Sequence, residues 1–134
     1  MSTQISTLTA QLKQQKYADV LKATVAIPEQ AKTDDLKLLE LVARIKADSG
    51  SPMIEYYLNE STGWVYDAPD QLLSERAFIH VLQNETSAAI RLYQQLGEEQ
   101  FSAVDFNRCG TAHLINNDFE QALRYYERAI ELEP

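Results

Sequence analysis

The chain has little cysteine, glycine or proline: one Cys, four Gly and four Pro among 134 residues. A single thiol, Cys109, excludes an intrachain disulfide framework and points to a reducing compartment. So few glycines and prolines exclude a turn-rich sheet protein and suit helices. Basic residues are also in short supply, 12 Lys and Arg against 20 Asp and Glu, for a formal net charge of -8. That disfavours nucleic-acid phosphates and anionic lipid, both of which need a basic face. No apolar run approaches the ~20 residues that cross a bilayer. The start, MSTQISTLTAQLKQQKY, lacks the basic residues and apolar block of a signal peptide. The expectation is a soluble, cytoplasmic chain with no nucleic-acid or membrane partner.

What is present is a hydrophobic share of 45% and an internal repeat. A chain of this length buries roughly two-thirds of its unfolded surface without metal or disulfide. Shifted by 33 places, residues 69–97 match residues 102–130. His80 falls on His113, Asn84 on Asn117, Ala89 on Ala122, Arg91 on Arg124 and Tyr93 on Tyr126. Each copy reads as two helices. In the later one Asn117 suits a left-handed helix end and Asp118 an N-cap, with Gln121 three residues on. Phe119, Ala122, Leu123, Tyr126, Ala129 and Ile130 then recur at helical spacing as one apolar stripe, and Pro134 follows as a stop.

Upstream the spacing persists more loosely. Ile5, Leu8 and Leu12 form one stripe, Val20, Leu21, Thr24 and Ile27 another, and Pro28 stops it. Leu38, Leu41, Val42 and Ile45 predict an amphipathic helix. Gly50, Ser51 and Pro52 supply a helix end, an N-cap and a first helical position. Trp64, Val65 and Tyr66 are too apolar for a free loop and are expected to pack on helices, while the conformation of residues 59–69 stays open. Four helix pairs result, roughly 2–28, 33–60, 70–99 and 102–133, in a single domain covering residues 1–134.

The last pair, AVDFNRCGTAHLINNDFEQALRYYERAIELEP, resembles the tetratricopeptide repeat, which alternates helices over about 34 residues. Phe106, Gly110, Phe119, Ala122, Tyr126, Ala129 and Pro134 stand at its aromatic, small and proline positions. Cys109 replaces a leucine and His113 a tyrosine. Residues 70–99 match partially, through Ala77, Ala89, Tyr93 and Leu96. The resemblance implies an all-α solenoid of about eight helices, antiparallel pairs stacked in a right-handed superhelix. It also implies a non-enzymatic protein-interaction or scaffolding module of a longer bacterial protein, with a partner segment in a concave groove.

On the family pattern that groove carries Gln71, Ser74, Glu75 and Phe78 from one pair. From the next it carries Val104, Asn107, Arg108 and Thr111. Asn107 and Arg108 suit a peptide backbone or carboxylate, and Phe78 an apolar side chain. The competing reading is an ordinary solvated helix face. Tyr125 and Leu132 lie off the stripe of the final helix and would meet an absent neighbour, end to end. His80 and His113 lack a third ligand and are expected to pack between helices rather than bind metal. Cys109, at a leucine position, is expected to be buried and inert. No catalytic residue, cofactor or metal is expected. The alternatives are the regulatory or substrate-positioning arm of a sulfotransferase- or glycosyltransferase-like enzyme, or a self-association domain forming a homo-oligomer through its uncapped final helix.

Overall fold

A computed structural model describes the backbone of residues 2–133 and the side chains of residues 4–133. The described residues form eight α-helices: α1 (Ser2–Lys13), α2 (Tyr17–Val25), α3 (Asp34–Ala47), α4 (Pro52–Glu60), α5 (Leu73–Leu82), α6 (Thr86–Leu96), α7 (Ala103–Ile115) and α8 (Phe119–Leu132). The expected all-helical architecture of paired helices is met. The stop expected of Pro134 lies outside the described residues. Two compact units divide the chain, Met1–Leu72 and Leu73–Pro134, and each is described by itself.

In the first unit α3 is the hub, packing against α1, α2 and α4. The sequence predicts an amphipathic α3, but Leu36, Leu38, Leu39, Glu40, Leu41, Val42 and Ala43 are all buried, so apolar surface runs around most of the helix. Three neighbours rather than one explain the difference. Ile5, Leu8 and Leu12 of α1 are buried as their spacing predicts, as are Val20 and Thr24 of α2. Buried Thr24 satisfies its hydroxyl by donating to the Val20 carbonyl at 3.0 Å.

Glu40 sits on this hub, and two cations share its carboxylate. Lys32 Nζ donates to one oxygen, and Arg44 donates to the other at 2.8 Å. Burial pushes the Lys32 ammonium down, but hydrogen bonds to Glu40 and Glu29 outweigh it and leave its pKa raised. Glu29 also accepts from the Tyr57 hydroxyl, at 2.8 and 2.9 Å. That bond gives fully buried Tyr57 the partner its hydroxyl needs.

The segment after α4 is ordered by carboxylates at the start of α3. Asp34 accepts from the Val65 N–H at 2.8 Å, and Asp35 from the N–H groups of Asp67 and Ala68 at 2.7 and 2.8 Å. Trp64 packs edge-on against Tyr57, with ring centroids 5.6 Å apart, and donates from Nε1 to Glu60 at 3.1 Å. Val65, expected to pack with it, is 78% exposed instead. Its backbone is held through Asp34, so its side chain need not be.

In the second unit α5–α6 and α7–α8 repeat one design. Asn84 and Asn117 adopt φ of 60° and 62° at the turns. In each turn the following N–H reaches back to the histidine carbonyl, Glu85 to His80 at 2.8 Å and Asp118 to His113 at 2.9 Å. This is the double-bonded left-handed helix ending. Gln15, at φ 61°, makes the same turn between α1 and α2. Ser102 caps α7 in a reciprocal box with Asp105, and Ser51 caps α4 with Pro52 at its first position. Gly110 is where α7 and α8 touch. A methyl group there would come within 3.0 Å of the Tyr126 ring and 3.3 Å of the Ala122 carbonyl oxygen.

Two tests follow from the first unit. Glu40→Ala removes the carboxylate that two cations share beside a closed core, leaving Lys32 with Glu29 and Arg44 with Asp48, and is expected to cost about 3 kcal/mol, read as the loss of unfolding free energy in urea. Glu60 is held below its ordinary pKa by Lys37, with Tyr56 and Trp64 assisting. Its contribution to stability is therefore complete above the unfolded-state value and lost as pH falls through the lower folded value. Emission of Trp64, the one tryptophan, should shift to the red on acidification of wild type. Glu60→Gln should show that emission already near neutrality and respond little to acid. An unchanged pH profile in the variant would contradict the assignment.

Candidate functional site

The residues expected to form a groove separate into three groups. Gln71 belongs to the first unit, where its side-chain oxygen lies 3.5 Å from the Ser6 hydroxyl. Glu75 and Phe78 of α5 are buried, at 4% and 6% exposure, and offer no open surface to a partner. The helical spacing was read correctly, but both positions sit on the covered side of α5. The remaining residues, Val104, Asn107, Arg108 and Thr111 of α7 with Ser74 of α5, are half-buried or exposed.

Three of these, Ser74, Thr111 and Arg108, are held by contacts within the unit. Ser74 donates to the buried carboxylate of Asp105, which also accepts from the Ser102 N–H at 3.0 Å. Thr111 lies 2.8 Å from the Tyr126 hydroxyl and donates to the Asn107 carbonyl at 3.0 Å. The Arg108 guanidinium lies 3.8 Å over the centre of the Phe78 ring. Phe78 is thus a platform for the Arg108 guanidinium. Among the described residues no carboxylate forms an ion pair with Arg108, and the exposed Asn107 amide bonds to no side chain. A guanidinium held over a ring face in this way keeps N–H donors available at its edge.

Behind this face lies a core of Leu73, Ala77, Val81, Ala89, Tyr93, Phe101, Phe106, Cys109, Ala112 and Ala129. Phe101 joins it edge-on to Tyr93 and Phe106, at 5.5 and 4.9 Å. Tyr125, expected to face outward, is part of this assembly. Its ring stacks on His113 at 5.3 Å and 18°, and its hydroxyl donates to Glu98 at 3.0 Å. On α8 it shares a side with buried Ala122 and Ala129, so α7 covers it. Leu132, its expected companion, is half exposed. Phe119, Leu123 and Ile130, read as an inward stripe, are instead more than half exposed.

A cleft of about 480 Å³ opens between α6, α7 and α8, lined by Ile90, Gln94, Glu98, Cys109, His113 and Tyr125 among others. Arg124 donates to Glu98 across its rim at 3.1 Å. Arg124, the largest cause, and Tyr125 hold the Glu98 carboxyl below its usual range against burial. Nothing in the helical pattern foretold this cleft, because it forms where three helices diverge.

Burial pushes the Cys109 thiol up to about 12, so it is protonated near neutrality and not a nucleophile. His80 Nδ1 lies 2.8 Å from Glu85, and His113 Nδ1 lies 3.4 Å from Asp118. Each histidine is engaged by the acid at its own turn. No group of three His, Cys, Asp or Glu able to hold a metal occurs among the described residues. No described helix is long and apolar enough to cross a membrane.

The paired helices, left-handed turn and small-residue contact at Gly110 define a helical repeat protein. Residues 103–134 match the family model of the tetratricopeptide repeat. The α7–α8 pair is therefore a tetratricopeptide repeat, a fold that generally mediates protein–protein interaction and is typically non-catalytic. No curated protein and no solved structure matches the chain.

The buried thiol gives a direct check on this packing. Cys109 should react with a disulfide reagent at least about a hundredfold more slowly in native protein than in urea-unfolded protein, since thiolate is the reactive form. Comparable rates would mean that the α6–α8 cleft opens freely to solvent.

Proposed function

We propose that the chain is a protein-interaction module whose α7 face receives an extended segment of a partner. The observation that carries this reading is Arg108, its guanidinium carbon 3.8 Å over the centre of the Phe78 ring. A stacked arginine loses little further freedom when it donates to a partner, so its hydrogen bonds are made at low entropic cost. Asn107, beside it, brings an amide donor and acceptor suited to a peptide backbone. Val104 and Ser74 border the pair, and Thr111 is positioned by Tyr126.

The chemistry of the partner follows from charge. In a chain of net charge -8, a lone stacked guanidinium favours an acidic side chain or a backbone carbonyl. Glu75, offered by the sequence as an orienting group, is buried and takes no part. Recognition here makes and breaks no covalent bond: Asn107 and Arg108 set the register of the bound segment, and Val104 supplies apolar contact.

The test compares capture of cellular proteins by wild type, by Asn107→Ala/Arg108→Ala, and by Arg91→Ala, at an exposed position of α6, as a control. A partner should be retained by wild type and the control and fall at least about tenfold with the double variant. Thermal unfolding of all three checks that losing the Arg108 stack has not loosened the unit. Arg108→Lys should behave like the double variant, because an ammonium neither stacks nor forks as a guanidinium does. Undiminished capture by the double variant would remove the α7 face as the working surface.

A further inference from the structure

The 33-residue shift gives every position on α5–α6 a counterpart on α7–α8, and the counterparts differ in cover. Val81 and Thr86 are each 7% exposed, whereas their counterparts Leu114 and Phe119 are 44% and 62% exposed. Ile90 packs against the core, whereas its counterpart Leu123 is 60% exposed. What covers the earlier face is α7, which brings Phe106, Cys109 and Ala112 against Val81, Ala89 and Tyr93. Nothing among the described residues covers α8 in the same way.

The electrostatics repeat as well. Glu98 on the rim of the covered face is met by Arg124 at 3.1 and 3.3 Å, and by the Tyr125 hydroxyl. Its counterpart is Glu131, and Glu120 and Glu127 extend the same edge of α8 at helical spacing. Glu120 and Glu127 are exposed and form no ion pair among the described residues, while Glu131 is 3.5 Å from Arg128 of its own helix.

We propose that the outer face of α8, with Leu114 of α7, docks an amphipathic helix of a partner protein that carries Arg or Lys along one flank. Its apolar side lies on Phe119, Leu123 and Ile130, and its basic flank meets Glu127 and Glu131 as Arg124 meets Glu98. A second copy of this chain is a poor occupant. Two α8 helices paired antiparallel about a twofold axis would set the glutamate row against itself. This surface is separate from the α7 face of Asn107 and Arg108 and does not depend on that reading.

The probes are three synthetic fluorescent peptides, measured by anisotropy with the whole chain. One has leucine, alanine and phenylalanine on one helical face and arginine on its flank. The second carries glutamate on the flank, and the third scrambles the arginine peptide so that no apolar face forms. The arginine peptide should bind at least about tenfold tighter than either other, more weakly as salt rises. Leu123→Lys/Ile130→Lys should abolish binding, and these exposed positions leave folding intact. Glu127→Lys/Glu131→Lys should reverse the preference to the glutamate peptide. Asn107→Ala/Arg108→Ala should leave it unchanged, which separates the two surfaces. Equal binding of the ordered and scrambled peptides, no binding by any, or no reversal in the charge-swapped chain would overturn the proposal. So would a wild-type dimer in light scattering that Leu123→Lys/Ile130→Lys dissolves, because the occupant would then be a second copy.

Discussion

Gln15, Asn84 and Asn117 hold φ of 61°, 60° and 62° between successive antiparallel helices. A residue in that conformation ends a helix by turning its next N–H groups back on the last carbonyls, so the following helix departs with a fixed phase. Because the phase is fixed, the turn sets which residues face outward from a pair. In the second unit the same turn recurs after 33 residues, so the outward face of α5–α6 becomes the seat of α7. The glycine at 110 and the alanines at 122 and 129 then decide how closely the paired helices approach. The core and both exposed faces of this unit inherit their positions from that turn.

Carboxylates near helix starts do a second job, tying irregular segments to helices. Asp35, second in α3, accepts two backbone N–H groups of the segment after α4. Asp105, third in α7, closes the cap with Ser102 and also accepts from Ser74 of α5. Both are buried, and both sit where unpaired N–H groups and the helix dipole favour negative charge. The hydrogen bonds satisfy acceptors that burial would otherwise leave unpaired. Glu40 shows the other solution, with Lys32 and Arg44 on its two oxygens.

Much of this was legible in the sequence because helices write local patterns. Apolar spacing and the 33-residue repeat together located the four helix pairs, and Asn117, Asp118, Ser51 and Pro52 marked true ends. Exposure was less legible, because periodicity gives a stripe without saying whether a neighbour covers it. Phe119, Leu123 and Ile130 keep perfect spacing and remain open, while Tyr125, off the stripe, closes the core against His113. Phe78 and Glu75 were misplaced for the same reason. The stacking of Arg108 on Phe78 was beyond reach, since it joins residues 30 positions apart on different helices. The order of residues 64–68 likewise depends on Asp34 and Asp35, distant partners that no local pattern names.

Tyr93 and Tyr126 bring these points to one comparison. They are the same residue at the same register of successive repeats. Tyr93 is 1% exposed, its hydroxyl has no hydrogen-bond partner among the described residues, and burial raises its pKa. Tyr126 is half-buried and bonds Thr111 at 2.8 Å. The register is the same at both positions, so it cannot by itself set the environment of Tyr93. It is the covering helix that determines it: α7 lies over α6, and nothing described lies over the outer face of α8. In a repeat unit of this kind a side chain's role is assigned by what stacks on it. The open face of α8 is therefore best understood through the face of α6, whose cover is already in place.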